Sequence, residues 1–111
     1  MAVDQPNTID IVAIHPDRPV VRLVISDHLG WASEFEHLLA LQSKLNTYLE
    51  FVACGQLLRE YPEAEGKLVQ IEVAFLHEPS RKAKNQFLAE AAKVVEKHGL
   101  IFSWHLSPGA A

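Results

Sequence analysis

The sequence has few of the features that mark secreted, membrane-embedded or metal-dependent proteins. It has one cysteine in 111 residues, Cys54, which excludes an internal disulfide and fits a reducing compartment. No apolar run approaches the ~20 residues that cross a bilayer. The first residues have neither a basic head nor an apolar core, so they do not predict a signal peptide. We therefore expect a soluble, cytoplasmic protein.

Sequence motifs of common catalytic and cofactor sites are missing as well. There is no glycine-rich phosphate loop, no Gly-x-Ser-x-Gly elbow, no His-x-x-x-His pair and no Cys-x-x-Cys pair. Cys54 follows a predicted helix end, where the helix dipole disfavours a thiolate. We therefore predict neither a cofactor nor a metal, and an enzymatic role is the less favoured alternative.

Charge and size restrict the class of protein further. A formal net charge of −4 gives no general attraction to nucleic acid or to an anionic membrane, so neither is an expected partner. The 49% hydrophobic and 22% charged content is ordinary for a globular protein. A chain of this length has room for one core. We expect a single domain over residues 1–111, with 1–8 and 107–111 as flexible tails.

The longest predicted element is an amphipathic helix over residues 33–55. Ser33 and Glu36 have the spacing of a capping box, in which each side chain accepts a free backbone N–H. Gly55 suits the left-handed position that ends a helix. Apolar residues at helical spacing predict one broad stripe that packs on the rest of the domain. The stripe consists of Phe35, Leu38, Leu39, Leu41, Leu45, Tyr48, Leu49 and Val52.

Three residues disturb this stripe. Gln42 and Asn46 lie at its edge, where they either meet water or form hydrogen bonds across a buried contact. Phe51 falls on the opposite face, and we expect the following segment, 56–61, to cover it. That segment predicts one or two further helical turns.

The remaining elements are four short strands and a second helix. Alternation is clearest over residues 67–76, which have one apolar face and one mostly polar face. A second helix is predicted from the cap at Ser80 to Gly99. The other predicted strands are 9–14, 20–26 and 100–106, with a proline-containing turn at 15–19.

The order ββαβαβ predicts an α+β fold. Right-handed crossovers between strands in sequence order place both helices on the same side. We therefore predict a two-layer α/β sandwich with a roughly four-stranded mixed sheet and two helices on one face. The half-apolar open face is a plausible homodimer surface. It is expected to carry Val20, Arg22, Val24, Gln70, Glu72, Ser103 and His105.

Several segments together match a pattern seen in one protein family, the most specific being the middle of the long helix. The matching segments are Ile25-Ser26-Asp27-His28-Leu29 with Trp31, His37-Leu38-Leu39 with Leu41-Gln42, Lys44-Leu45-Asn46-Thr47-Tyr48-Leu49 with Phe51, Gly55, Tyr61-Pro62, Gly66 and Ile71-Glu72-Val73. The chain resembles a family of short bacterial proteins classed as a domain of unknown function. That resemblance implies no activity, cofactor or site residue. The chain departs from the pattern at Ala53-Cys54, where the family has an acidic or polar pair.

One polar cluster is a candidate ligand site. Asp27, His28, Trp31 and His37 surround a predicted strand-to-helix junction, where α/β proteins commonly bind ligands. A histidine near carboxylates can act as a general base or a metal ligand. Glu34 and His37 have the spacing of half a di-metal motif, but no second copy exists. The alternative is structural: Asp27 binds the turn backbone and Trp31 covers the end of the core.

A second candidate site is cationic. Arg81, Lys82 and Lys84 lie in the first turn of the second predicted helix, where positive charge opposes the dipole. With free N–H groups they could hold a phosphate or an acidic partner. The alternative is an ordinary solvated face.

Three functions follow from these patterns. The first is a small cytoplasmic interaction or structural protein, homodimeric and non-catalytic. The second is a small ligand-binding or metal-binding protein, or an enzyme, that uses the Asp27–His28 junction. The third is a regulator or immunity-type protein that binds another protein through its acidic loop and sheet edge.

Overall fold

A computed structural model describes residues 9–14 and 17–107. Residues 15 and 16 of the predicted turn, and the predicted tails apart from Ser107, lie outside the described residues. The strands are β1 (Ile11–Ile14), β2 (Val20–Asp27), β3 (Leu68–Phe75) and β4 (Ile101–Leu106). The helices are α1 (Glu34–Ala53), α2 (Gln56–Glu60) and α3 (Ala89–Lys97), with a 3₁₀ turn (Pro62–Ala64) and a π-helical segment (Ala83–Leu88) that leads into α3.

The four strands form one mixed sheet in the order β1-β2-β3-β4. The β1–β2 pair is antiparallel, whereas β2–β3 and β3–β4 are parallel. Both parallel pairs are joined by helical crossovers, and residues of α1 and α3 enter one core with the same face of the sheet. The predicted α+β sandwich, with both helices on one side of a mixed sheet, is confirmed.

Strict alternation in β3 separates a covered face from an open face. Val69, Ile71, Val73 and Phe75 are all buried, as the pattern predicts. The register places Gln70 beside Arg22 and Glu72 beside both Val24 and Ser103. All residues predicted for the open face therefore share one side of the sheet. The core between the sheet and the helices includes the four buried β3 residues together with Val21, Leu23, Ile25, Leu41, Leu45, Tyr48, Phe51, Leu57, Leu88, Ala91 and Val95.

The buried face of α1 is rotated relative to the predicted stripe. Phe35 is 74% exposed and Leu39 is 47% exposed, so their predicted burial is wrong. The central buried row instead includes His37 and Lys44. The physical reason is that His37 and Lys44 each bind a buried partner. The helix is therefore oriented with these two side chains towards the core, and Phe35 remains exposed. The row consists of His37, Leu41, Lys44, Leu45, Tyr48 and Phe51.

Of the three residues that disturbed the predicted stripe, two lie as expected and one does not. Gln42 and Asn46 are exposed, which agrees with a stripe edge that meets water. Phe51 lies in the buried row with Leu41 and Tyr48, so its predicted place on the opposite face is wrong, although Leu57 of the following segment shares its core.

The serine and glycine residues predicted to begin or end the helices do so, with one exception. Ser33 precedes α1, but its hydroxyl makes no capping hydrogen bond, so the predicted capping box is wrong. The Ser33 carbonyl instead accepts the His37 N–H at 3.0 Å. Gly55 has a φ of 84°, the left-handed conformation expected at the end of α1. Ser80 caps the second helical region by accepting the Ala83 N–H at 3.1 Å. None of the helices in the described ranges is long and apolar enough to span a bilayer.

Candidate functional site

A buried histidine–aspartate pair lies where β2 ends and α1 begins. Asp27 is the last residue of β2 and His37 lies in the first turns of α1, and neither is more than 2% exposed. His37 Nε2 lies 2.6 Å from Asp27 Oδ2 and 2.8 Å from Oδ1. Asp27 Oδ1 also accepts the Leu29 N–H at 3.1 Å. The pair therefore joins the sheet, the connecting loop and the helix.

Trp31 closes this pair from outside. Its ring stacks on the His37 imidazole, with centroids 3.8 Å apart and planes 21° apart. The indole N–H donates to the His77 carbonyl at 3.2 Å, which ties the loop to the end of β3. Of the four predicted residues the structure brings together Asp27, Trp31 and His37, whereas the His28 side chain is exposed.

The hydrogen bonds of His37 restrict its chemistry. Nδ1 lies 2.9 Å from the Gly30 carbonyl oxygen, which can only accept, so Nδ1 carries a hydrogen and donates it. On the other side, one proton lies between Nε2 and the Asp27 carboxylate. Neither nitrogen directs a lone pair to the surface. In this conformation His37 is placed to hold the turn and cannot take a proton from a bound substrate.

A shallow groove of about 400 Å³ adjoins this pair, between the connecting loop and the start of α1. It is lined by Leu29, Gly30, Ala32, Ser33, Glu36 and His37. His37 contributes little surface because its side chain is only 1% exposed. Ligand binding at this junction stays a prediction.

One of the three predicted cationic residues is paired with a carboxylate. Arg81 and Lys82 are exposed at the start of the second helical region. Lys84 donates to Glu78 at 2.7 Å, and this hydrogen bond, with the ammonium charge, lowers the pKa of the Glu78 carboxyl. The Ala83 N–H at this helix start is already bonded to Ser80. Anion binding here also stays a prediction.

A second buried polar cluster was missed from the sequence. Lys44, which is 0% exposed, places Nζ 2.9 Å from Asp10 Oδ1. Asp10 Oδ2 accepts the Ser26 N–H at 3.0 Å, and the Asp10 N–H donates to the Tyr48 hydroxyl at 2.8 Å. That hydroxyl donates to the Val24 carbonyl at 2.6 Å. Burial raises the pKa of Tyr48 well above its ordinary value.

One signal in the sequence could have revealed this cluster. His37, Leu41, Lys44, Tyr48 and Phe51 follow each other at alternating steps of four and three residues, the spacing of a single helix face. A lysine at the centre of such a row requires a buried acid. No local sequence pattern identifies Asp10, which precedes β1, as the acid that pairs with Lys44.

A groove of about 830 Å³ lies beside Asp10, between the residues around β1, the end of α1 and α2. Its lining mixes Phe51 and Tyr61 with the carboxylates of Glu50 and Glu60. Within residues 9–14 and 17–107, no three histidine, cysteine, aspartate or glutamate side chains are grouped as metal ligands. Cys54 is exposed.

Comparison with known proteins places the chain at the level of a family. A family model described as a family of unknown function, DUF6572, matches residues 1–108. The chain belongs to this family. No curated protein and no solved structure matches it. Membership in DUF6572 agrees with the resemblance to a domain of unknown function, while the specific sequence pattern and the bacterial origin stay predictions.

Proposed function

We propose that this DUF6572 protein is a small cytoplasmic interaction protein that works as a homodimer and performs no chemistry of its own. The observation that carries the proposal is the uncovered side of the sheet layer. Large apolar side chains remain exposed there, at Ile11 (49%), Leu68 (55%) and Ile101 (39%). Apolar surface of this kind is stabilised when a second protein surface covers it.

The polar groups of the open face support a second copy as the partner. Arg22 pairs with Glu72 at 2.8 Å, and Gln70 donates to Ser103 at 2.6 Å. His105 lies 3.5 Å from Glu72 as well. Because these groups are already paired within the chain, the face has little unmatched charge with which to select a charged partner. A neutral, partly apolar surface suits self-association.

The geometry of the Asp27–His37 pair supports a structural role over a ligand site. Both ring nitrogens of His37 are engaged, and Trp31 stacks over the ring. A ligand would have to displace this stacking and break a buried hydrogen bond. The enzyme alternative is therefore less well supported than the interaction protein.

The test is the mass of the protein in solution. Size exclusion with light scattering at tens of micromolar is expected to give twice the mass of one chain, falling towards one chain on dilution. A monodisperse monomer across this range would contradict the proposal. A monomer that co-purifies in a fixed ratio with a protein of different sequence would favour the regulator alternative instead. Stabilisation by a metabolite or a metal ion, lost in His37→Phe, would favour the ligand-binding alternative.

A further inference from the structure

Strand β4 forms one edge of the sheet. Within the described part of the chain it pairs only with β3. Its six residues, Ile101–Leu106, include no lysine, arginine, aspartate, glutamate or proline. Edge strands of monomeric proteins commonly carry such residues because they block pairing with another chain. Trp104 and Leu106 are also 37% and 43% exposed. The edge thus has the composition of a strand that continues into a neighbour.

The direction of its backbone groups can be read from the ladder to β3. The Ser107 N–H donates to the Phe75 carbonyl at 2.7 Å, so the backbone of Ser107 points inward. Because successive residues of a strand point alternately to either side, Phe102, Trp104 and Leu106 direct their N–H and carbonyl groups outward. These are the groups that an additional strand would bind.

We propose that two copies of this chain pair through antiparallel β4 strands, with Trp104 opposite the partner's Trp104, to form one eight-stranded sheet. This inference rests on the proposed homodimer but locates its interface at the sheet edge and not on the open face. In this register Phe102 lies opposite the partner's Leu106, and the outward groups form about six hydrogen bonds. A shift by two residues leaves about four. The register centred on Trp104 is therefore the most stable one.

The open face alone makes a small interface. Four strands about 4.8 Å apart and some 25 Å long give about 500 Å² per copy, so a face-to-face dimer buries about 1,000 Å² in total. That area is at the lower end for specific complexes. Edge pairing adds backbone hydrogen bonds that face packing does not supply.

The helix layer beside β4 fits the same arrangement. A groove of about 410 Å³ follows this edge, and Ala89, Ala92 and Trp104 line it. Because α3 packs against β4, edge pairing brings the α3 helices of the two copies side by side across the dimer axis. Alanines on the facing side allow this approach. Edge pairing would therefore fill the groove with the α3 helix of the second copy.

Cysteine cross-linking tests the register directly. The register places Ser103 opposite the partner's His105, at a non-hydrogen-bonded position where side chains come closest. Ser103→Cys and His105→Cys are each made in a Cys54→Ser background. We expect a disulfide-linked dimer when the two variants are mixed under mild oxidation, and little when either is oxidised alone. Equal cross-linking in all three samples, or none in the mixture, would overturn the proposed register.

Charge at the edge tests the interface independently of the cross-link. In Ser103→Lys/His105→Lys, four lysines would meet across the dimer axis, so we expect at least a tenfold weaker dimer by sedimentation. Mixing this protein with Ser103→Glu/His105→Glu is expected to restore a dimer that contains one of each. Gln42→Lys/Ser43→Lys is the matched control for two added lysines, since both residues are exposed on α1, whereas Leu68→Lys tests the open face. Circular dichroism confirms that each variant is folded.

The outcomes separate this inference from the proposed function. A monomeric wild-type chain contradicts both. A wild-type dimer that Leu68→Lys dissociates, while the edge lysines leave it intact, contradicts edge pairing but supports a homodimer through the open face. Dissociation by the edge lysines with rescue in the mixture supports both.

Discussion

Tyr48 shows how a single side chain can join three elements. Its hydroxyl donates to the Val24 carbonyl in β2 and accepts the Asp10 N–H just before β1. Its ring lies under the Lys44 ammonium, 5.9 Å from Nζ to the centroid. The side chain is fully buried. The Tyr48 hydroxyl both donates and accepts a hydrogen bond in a site closed to water. Deprotonation is therefore unfavourable, because the phenolate could no longer donate and would carry a buried, unsolvated charge.

Stability is therefore expected to fall at high pH. Burial raises the pKa of Tyr48 in the folded chain, while the unfolded chain releases the proton near pH 10. Above that pH the unfolded state binds fewer protons, so the free energy of unfolding falls by about 1.4 kcal/mol per pH unit from this residue until the folded pKa is reached. Urea denaturation between pH 8 and about 11 measures the slope.

Tyr48→Phe is the comparison for this measurement. It is expected to be less stable at neutral pH, since Val24 and Asp10 lose their partner. Its stability should depend less steeply on pH above about 10, because the buried titrating group is gone. Equal slopes for the two proteins would contradict the assignment to Tyr48.

Helix α1 has two apolar rows, and this explains what the sequence could predict about it. The row of Leu41, Tyr48 and Phe51 packs on the sheet, whereas Phe35 and Leu39 face outward. Hydrophobic periodicity correctly predicted the helix and the burial of Leu41, Leu45 and Tyr48. It also placed Phe35 and Leu39 in the buried stripe and Phe51 opposite it, and these three assignments are wrong. Tertiary pairing of Lys44 with Asp10 decided the orientation instead, and a pairing between residues so far apart in sequence is not visible in a local pattern.

Gly55 permits the sharp turn between α1 and α2. Its φ of 84° is a conformation that costs other residues about 1–2 kcal/mol. An added Cβ would meet only the Arg59 side chain, at 3.5 Å, so the cost is conformational rather than steric. Gly55→Ala is expected to lower the free energy of unfolding by about 1 kcal/mol in chemical denaturation.

Gly30→Ala is the matched control for this turn. A Cβ at Gly30 meets nothing within 4 Å, and its φ is not left-handed. The change should therefore be neutral or slightly stabilising, because alanine reduces the freedom of the unfolded chain. A loss at Gly30 as large as at Gly55 would show that the backbone conformation is not the cause.

The strands show the same division between local and non-local information. Alternation in β3 predicted Val69, Ile71, Val73 and Phe75 as core residues, because the covered face imposes a period of two. The junction residues Asp27, Trp31 and His37 were correctly grouped because a strand end and a helix start are close in sequence. The contacts of Trp31 with His77 and of Glu34 with Ser80 needed the fold itself.

At the scale of the whole molecule, the Asp10–Lys44 ion pair connects the edge of the sheet to the helix layer. Both side chains are enclosed, Lys44 at 0% and Asp10 at 2% exposure. Strand β1 has a single neighbour in the sheet, so this pair and the Tyr48 hydrogen bond anchor the chain beside it. A buried charge that loses its partner costs far more than an exposed one.

Lys44→Met is expected to lower the free energy of unfolding by about 3–5 kcal/mol, because the Asp10 carboxylate is left buried without its counter-charge. The double variant Asp10→Asn/Lys44→Met should recover much of this loss, since the asparagine oxygen can still accept the Ser26 N–H. Chemical denaturation of the three proteins measures the difference.

An exposed pair provides the control. Lys93 lies 3.5 Å from Glu90, with both side chains more than 70% exposed. Lys93→Met should change the free energy of unfolding by less than about 1 kcal/mol. A double variant no more stable than Lys44→Met alone would argue that Lys44 contributes through packing and not through its charge.

The sheet topology also bears on how quickly the chain reaches its native state. Strands β1 and β2 are neighbours in sequence and can zip together as a local hairpin. The central parallel ladder, by contrast, joins positions such as Arg22 and Glu72, which are 50 residues apart. Closing so long a loop costs chain entropy before the contacts of the ladder form, and this slows folding. We therefore expect the docking of β2 against β3 to be the rate-limiting step. Until that step is complete, β2 exposes one pairing edge to other nascent chains, and refolding yield should decline as protein concentration rises.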